Sequence, residues 1–271
     1  MSATSNDAVS LVKGLHPLDE RYIGAYAWRG ESGESGESAA AVQDVSPLRC
    51  PLCLGVLIST HRQRRGYGYF RHESDADAAR CPLATTSYQP EGLVVKGPQE
   101  SLVAHTHRAR FLLNWKRHYR LARSMVSSLT VKRFTELIEY ADVLNLWSYP
   151  LLELRDLPYV LLVMAGFMAV RGEGEDKTWV RYWFDGSVRD AGDLWRADAG
   201  AAQLFRVEYR DSLRTPFPTS AEILHWAPIV RIERLQDLTS PGVTRADVKA
   251  FARFVERNAS ARRAPPEDGN G

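Results

Sequence analysis

No stretch of this chain is apolar for long enough to cross a bilayer. The longest, residues 157–170, is interrupted by Pro158 and falls short of the roughly 20 residues a spanning helix needs. It reads instead as a buried core element. The first residues, Met1 to Leu11, hold no apolar run of signal-peptide length. There is no Gly-rich phosphate loop, no GxSxG, no HExxH and no GxGxxG, so the signatures of several common enzyme classes are missing. Net charge is small: 35 Lys and Arg against 33 Asp and Glu leave +2. That sum alone argues for neither nucleic acid nor membrane. Cysteine is scarce, with three in 271 residues, and such a count without a secretory signal fits a reducing compartment. The expected setting is the cytoplasm, with no membrane partner.

The three cysteines share one window. Cys50-Pro51-Leu52-Cys53 is followed by His72 after eighteen intervening residues and by Cys81 after eight more. Two thiolates on a tight turn grip one side of a tetrahedral zinc ion, and an imidazole and a third thiolate close the other. That set leaves no open position. Cys50, Cys53, His72 and Cys81 are therefore expected to hold one structural Zn2+. His61 is the alternative fourth ligand, but His72 ends a predicted strand and faces back toward the turn. A redox CxxC is the competing reading. Such motifs open a helix, whereas Cys53 is followed by the strand-like Leu54-Gly55-Val56-Leu57-Ile58. With all three sulfurs assigned to a metal, none is left as a nucleophile.

Composition divides the chain into four parts. Residues 1–46 contain a three-unit GES repeat from Gly30 to Ser38 and read as a mostly flexible segment, apart from an apolar island from His16 to Trp28. Residues 47–90 read as a zinc-ribbon module: strands at 54–59 and 66–70, a charged hairpin tip between them, and a helical turn over 75–80. Residues 91–262 read as one C-terminal domain, and 263–271 as a disordered tail. Within that domain the spacing predicts a long helix over 98–127, a buried strand or helix over 157–170, and strands at 177–184, 204–209 and 229–235. The element at 136–146 is left open between strand and helix. Short helices are expected at 189–197 and 221–226. Thr244 with Asp247 predicts an N-cap opening a helix to about Asn258. The fold class is α+β, an N-terminal zinc ribbon followed by a larger mixed α/β domain.

The distribution of charge says more than its sum. No acid lies between Arg49 and Arg71, nor between Arg108 and Arg133. Arg62, Arg64 and Arg65 on the ribbon tip, with Arg110, Arg117 and Arg120 on the helix, are the expected phosphate contacts. Arginine's planar fork suits phosphate oxygens. A solvated helix face is the plainer reading of the helical arginines. Glu100, His105 and His107 gather where that helix begins. A metal-dependent nuclease would need an acid on a helix followed by Asp and Glu-x-Lys. The candidate catalytic residues are Glu100, Asp142 and Glu208. Arginine stands where the lysine belongs in Glu208-Tyr209-Arg210, and arginine does not shed its proton to help activate water.

Cys50-Pro51-Leu52-Cys53, the basic hairpin and Tyr69-Phe70-Arg71-His72 together resemble the N-terminal zinc region of bacterial competence CoiA-like proteins. Glu100-Ser101-Leu102-Val103-Ala104-His105 is similar to the opening of that family's nuclease-like domain, with one extra residue in the gap. The resemblance covers about residues 47–112. It implies a protein that handles DNA, during uptake or processing of foreign DNA.

Three readings follow. The first is a zinc-stabilised nucleic-acid-binding protein with DNA as the expected partner, in a foreign-DNA, mobile-element or phage-defence setting. The second is a nuclease that would add Mg2+ or Mn2+. The third is a protein–protein adaptor, supported by the aromatic residues Trp147, Trp179, Trp183, Trp195 and Trp226.

Overall fold

The computed structural model describes residues 11–16, 21–25, 28, 47–61, 68–86, 89–171, 177–196, 201–212, 217–231 and 242–261. It mixes helix and sheet, as expected of an α+β chain. No helix among these residues is long and apolar enough to cross a membrane. Contacts gather the chain into two compact units, each discontinuous in sequence. One comprises Met1–Val94 with Ala169–Arg231, and the other Val95–Met168 with Ile232–Gly271. Residues 47–90 and most of the later strands thus belong to the same unit.

In that first unit, strands β1 (Lys13–Leu15) and β2 (Tyr22–Gly24) pair antiparallel, so the apolar island His16–Trp28 supplies the second strand of a pair whose first strand precedes it. Strands β3 (Leu57–His61) and β4 (Gly68–His72) form a second hairpin, in register from Leu57↔His72 to His61↔Gly68. Helix α1 (Asp75–Arg80) follows at once. Then comes a four-stranded sheet in the order β5 (Met168–Arg171), β6 (Lys177–Phe184), β7 (Leu204–Arg210), β8 (Ile223–Ile229). The β6–β7 and β7–β8 pairs are antiparallel. On β7, Val207 and Tyr209 are buried while Arg206 and Glu208 are only half-buried, the period-two alternation of a strand with one covered face. From Val180 to Phe184, β6 is buried on both faces, which accounts for its aromatic and β-branched run.

The second unit is helical: α2 (Ser101–Leu113), α3 (Trp115–Met125), α4 (Val131–Val143), α5 (Leu157–Met164) and α6 (Arg245–Ala261). Thr130 caps α4 by accepting from Arg133 N. Pro158 sits in the first turn of α5, where no backbone donor is needed. Its core is aromatic. The ring of Phe111 stacks on His118 at 4.4 Å and neighbours Phe134 and Trp147, and Trp115 stacks on Phe251 at 4.0 Å. His118 is buried, and neither ring nitrogen has a hydrogen-bond partner among the described residues. Its burial, with Arg117 beside it, pulls its pKa down to about 4.

Several expectations hold and others are corrected. The strands at 177–184 and 204–209 and the Thr244–Asp247 capping box are present; the box bonds measure 2.9 and 3.1 Å. The single helix over 98–127 is two helices. The break falls at Asn114, whose side-chain amide donates to the Arg110 carbonyl at 2.9 Å. The helix expected at 221–226 is instead a short 3-10 turn, Ser220–Glu222, leading into β8. The strand expected at 229–235 is displaced accordingly, and residues 232–235 lie outside the described residues.

Candidate metal centre

Two turns carry the cysteines, and they are built alike. Cys50-Pro51-Leu52 and Cys81-Pro82-Leu83 repeat the same tripeptide. In the first, the Cys50 carbonyl accepts from Leu54 N at 2.9 Å. In the second, the Cys81 carbonyl accepts from Ala84 N and Thr85 N, both at 3.0 Å. Each proline fixes φ for the turn. The first turn closes through Leu54, whose φ of 61° lies in the left-handed region, and Cys50 N donates to Gly55 O at 2.8 Å. The cost of an L side chain at that angle is offset by what the turn achieves: it aims both of its sulfurs at one point.

His72 reaches the same point from the end of β4. Alternation along the strand turns Phe70 and His72 inward and Arg71 outward. Helix α1 then carries the chain back to Cys81.

The four donor atoms, one from each of Cys50, Cys53, His72 and Cys81, lie within 4.8 Å of one another. Cys50 Sγ and Cys81 Sγ are 3.7 Å apart. Two sulfurs bound tetrahedrally at about 2.3 Å to one zinc ion would sit about 3.8 Å apart, so this pair is already at ligand spacing. Cys53 Sγ and His72 Nε2 are 3.0 Å apart, a hydrogen bond, and about half an ångström of movement would bring them to the sulfur–nitrogen spacing of the same tetrahedron. Burial pushes the Cys50 and Cys81 thiols up. Hydrogen bonds from those two thiols, with a smaller contribution from His72, hold Cys53 far below the ordinary thiol range. Three sulfurs and one imidazole gathered in a largely buried site suit a divalent, thiophilic cation, whose charge would draw off the thiol protons. These residues could hold a metal such as zinc, all four positions being filled by protein.

The four-stranded sheet supplies the outer wall. Gly186, in the turn after β6, packs on the first cysteine turn so closely that a Cβ there would overlap the Cys53 carbonyl. The turn is fixed by Asp185, whose carboxylate accepts from Ser187 N at 2.9 Å, from the Ser187 hydroxyl and from Gln203 N. Residue Val94 is stitched to the same region through Arg189 O and Ala191 N. Ligand spacing in the sequence points to Cys50, Cys53, His72 and Cys81, but nothing in it shows that Gly186 meets their first turn. The repeated Cys-Pro-Leu was the available signal for twin turns.

The remaining expected site residues are dispersed. Glu100 is exposed immediately before α2, and its side chain makes no capping bond. Asp142 is held by Arg108 through two bonds of 2.6 and 2.8 Å and by the Trp147 indole at 2.6 Å. Glu208, in the other unit, pairs with Arg206. Arg110 and Arg117 are exposed and Arg120 is half-buried. Arg62, Arg64 and Arg65 lie outside the described residues. His105 is exposed, and His107 Nδ1 lies 3.0 Å from the Trp147 carbonyl. No family model matches this chain, and no curated protein or solved structure matches it.

Proposed function

We propose that this is a zinc-stabilised nucleic-acid-binding protein, with DNA as its partner. The observation that carries the zinc part is the convergence of three sulfurs and one imidazole in a site with no position left for substrate. Such a site is structural. Within the larger first unit, metal ligation would tie the two cysteine turns to the end of the β3–β4 hairpin. We read residues 47–90 accordingly as a zinc ribbon, braced by the turn after β6.

The nucleic-acid part rests on charge. From Ser101 to Lys132 there is no acid, and Arg110, Lys116 and Arg117 face solvent on α2 and α3. Arg62, Arg64 and Arg65 extend the same argument to the hairpin tip. The resemblance to competence CoiA-like proteins points to foreign DNA as the setting. Asp142 and Glu208 are each engaged by an arginine, so a nuclease would have to break both pairs to load a catalytic cation. That makes binding the better reading.

The test is fluorescence anisotropy with labelled duplex and single-stranded DNA across a salt series, with metal content measured on the same sample. Tight binding at low salt that weakens steeply as salt rises is the expected result. Absence of binding even at low salt would sink the nucleic-acid reading. Magnesium-dependent cleavage lost in Glu100→Ala would favour the nuclease instead. Capture of a protein partner that survives nuclease treatment, with no binding to DNA, would favour an adaptor.

A further inference from the structure

We propose that Cys53 is the oxidation site of this centre: a hydroperoxide entering the pocket beside it converts Cys53 and one neighbouring cysteine into a disulfide. The proposal rests on the zinc reading above and adds a chemical lability to it.

The three sulfurs are not equally reachable. Cys50 and Cys81 are each 0% exposed. Cys53 is only half-buried, and it lines an open pocket of about 260 Å³ between the first cysteine turn and the turn after β6. Leu52, Pro82 and Trp183 also line that pocket, and its charged residues are of both signs: Arg80 and Arg189 against Asp77, Glu91 and Asp185. A water molecule occupies about 30 Å³ in the liquid, so a small hydroperoxide fits with room to spare. Cys53 is thus the one cysteine of the three that borders open space, while Cys50 and Cys81 are sealed from it.

The chemistry balances with one oxidant. The Cys53 thiolate attacks the distal oxygen of the hydroperoxide. A sulfur–oxygen bond forms, the oxygen–oxygen bond breaks, and the leaving alkoxide takes a proton from water. The thiolate of Cys50 or Cys81 then attacks the Cys53 sulfur. A sulfur–sulfur bond forms, the sulfur–oxygen bond breaks, and the leaving hydroxide is protonated to water. Two thiolates lose two electrons, and one hydroperoxide becomes an alcohol and water. All four donor atoms already lie within 4.8 Å of one another, so the second step needs only a short approach to the disulfide length of about 2.05 Å. One thiolate and one imidazole remain, too few to close a tetrahedral site. Oxidation therefore releases the ion and removes the brace of the hairpin.

The experiment uses the reduced, full-length chain. Elemental analysis first establishes one zinc per chain. A chain that holds none, as purified or after reconstitution, overturns the metal reading and this proposal together. Zinc-loaded protein is then treated with hydrogen peroxide, with and without dimedone, and followed by a chromophoric zinc indicator and peptide mapping. The expected result is a dimedone adduct on Cys53. Without dimedone, one zinc is released per peroxide consumed, a disulfide includes Cys53, and thiol plus zinc restores the starting state. Two results would overturn this proposal while leaving the zinc reading intact. One is retention of zinc at peroxide levels that fully oxidise the urea-unfolded chain. The other is a Cys50–Cys81 disulfide with Cys53 still free to alkylate.

Discussion

The Cα of Gly186 faces the carbonyl oxygen of Cys53, leaving no room for a side-chain carbon between them. The obstacle is backbone on both sides, so no rotamer change can relieve it. Gly186→Ala is expected to cost about 1–3 kcal/mol and to weaken metal retention. Thermal unfolding and zinc content read both effects. Gly242→Ala, where nothing lies within 4 Å of an added Cβ, is the control and should leave both unchanged. Unaltered stability in Gly186→Ala would show that the sheet does not brace the cysteine turn.

Arg108 and Asp142 form a largely buried ion pair, with side-chain exposures of 10% and 20%. Removing one partner strands the other. Arg108→Met is expected to destabilise the chain by about 3 kcal/mol, seen as a fall in the urea midpoint. Asp142→Asn should also lower it. A purely catalytic Asp142 would instead be neutralised with no loss of stability, so the denaturation curve separates the two roles without any activity assay.

His118 supplies a pH dependence with a definite sign. Its folded pKa of about 4 lies below the ordinary value of 6.5, so the unfolded chain takes up the proton first as pH falls. Its contribution is fully present above pH 6.5, declines as pH falls through the window, and levels off below pH 4. At about 1.4 kcal/mol per pH unit the total loss approaches ~3 kcal/mol. His118→Phe should flatten the stability profile between those limits. An unchanged slope in that variant would refute the assignment.

Arg110 and Arg117 are the exposed arginines of α2 and α3 through which salt dependence can be tested. Each replacement by alanine should reduce the slope of log affinity against log salt by about 1 while leaving the melting temperature unchanged. Arg120 is half-buried, so Arg120→Ala is expected to affect stability as well. Slopes equal to wild type in both exposed variants would refute a nucleic-acid contact on α2 and α3.

The metal cluster was legible in the sequence because ligand chemistry constrains spacing tightly. Residues 177–184 were legible for a different reason: a β-branched and aromatic run ending at Asp185-Gly186 leaves few alternatives. The Thr244–Asp247 box is a purely local signal, and it held. What escaped were features decided by distant partners. Nothing at Asn114 interrupts the helical periodicity, yet its amide ends α2 by bonding to Arg110 O. The segment Ala221–Trp226 has helical composition, but pairing with β7 makes most of it a strand. Tertiary context overrode propensity there. Neither Gly186 nor Cys53 announces the other, since 132 residues separate them and only the folded chain brings them together.

The metal-centre unit is begun before the helical one and finished after its first stretch. A growing chain therefore displays Cys50, Cys53, His72 and Cys81 well before Gly186 has been synthesised. During that interval the ion, if captured, holds the hairpin with its outer wall still missing.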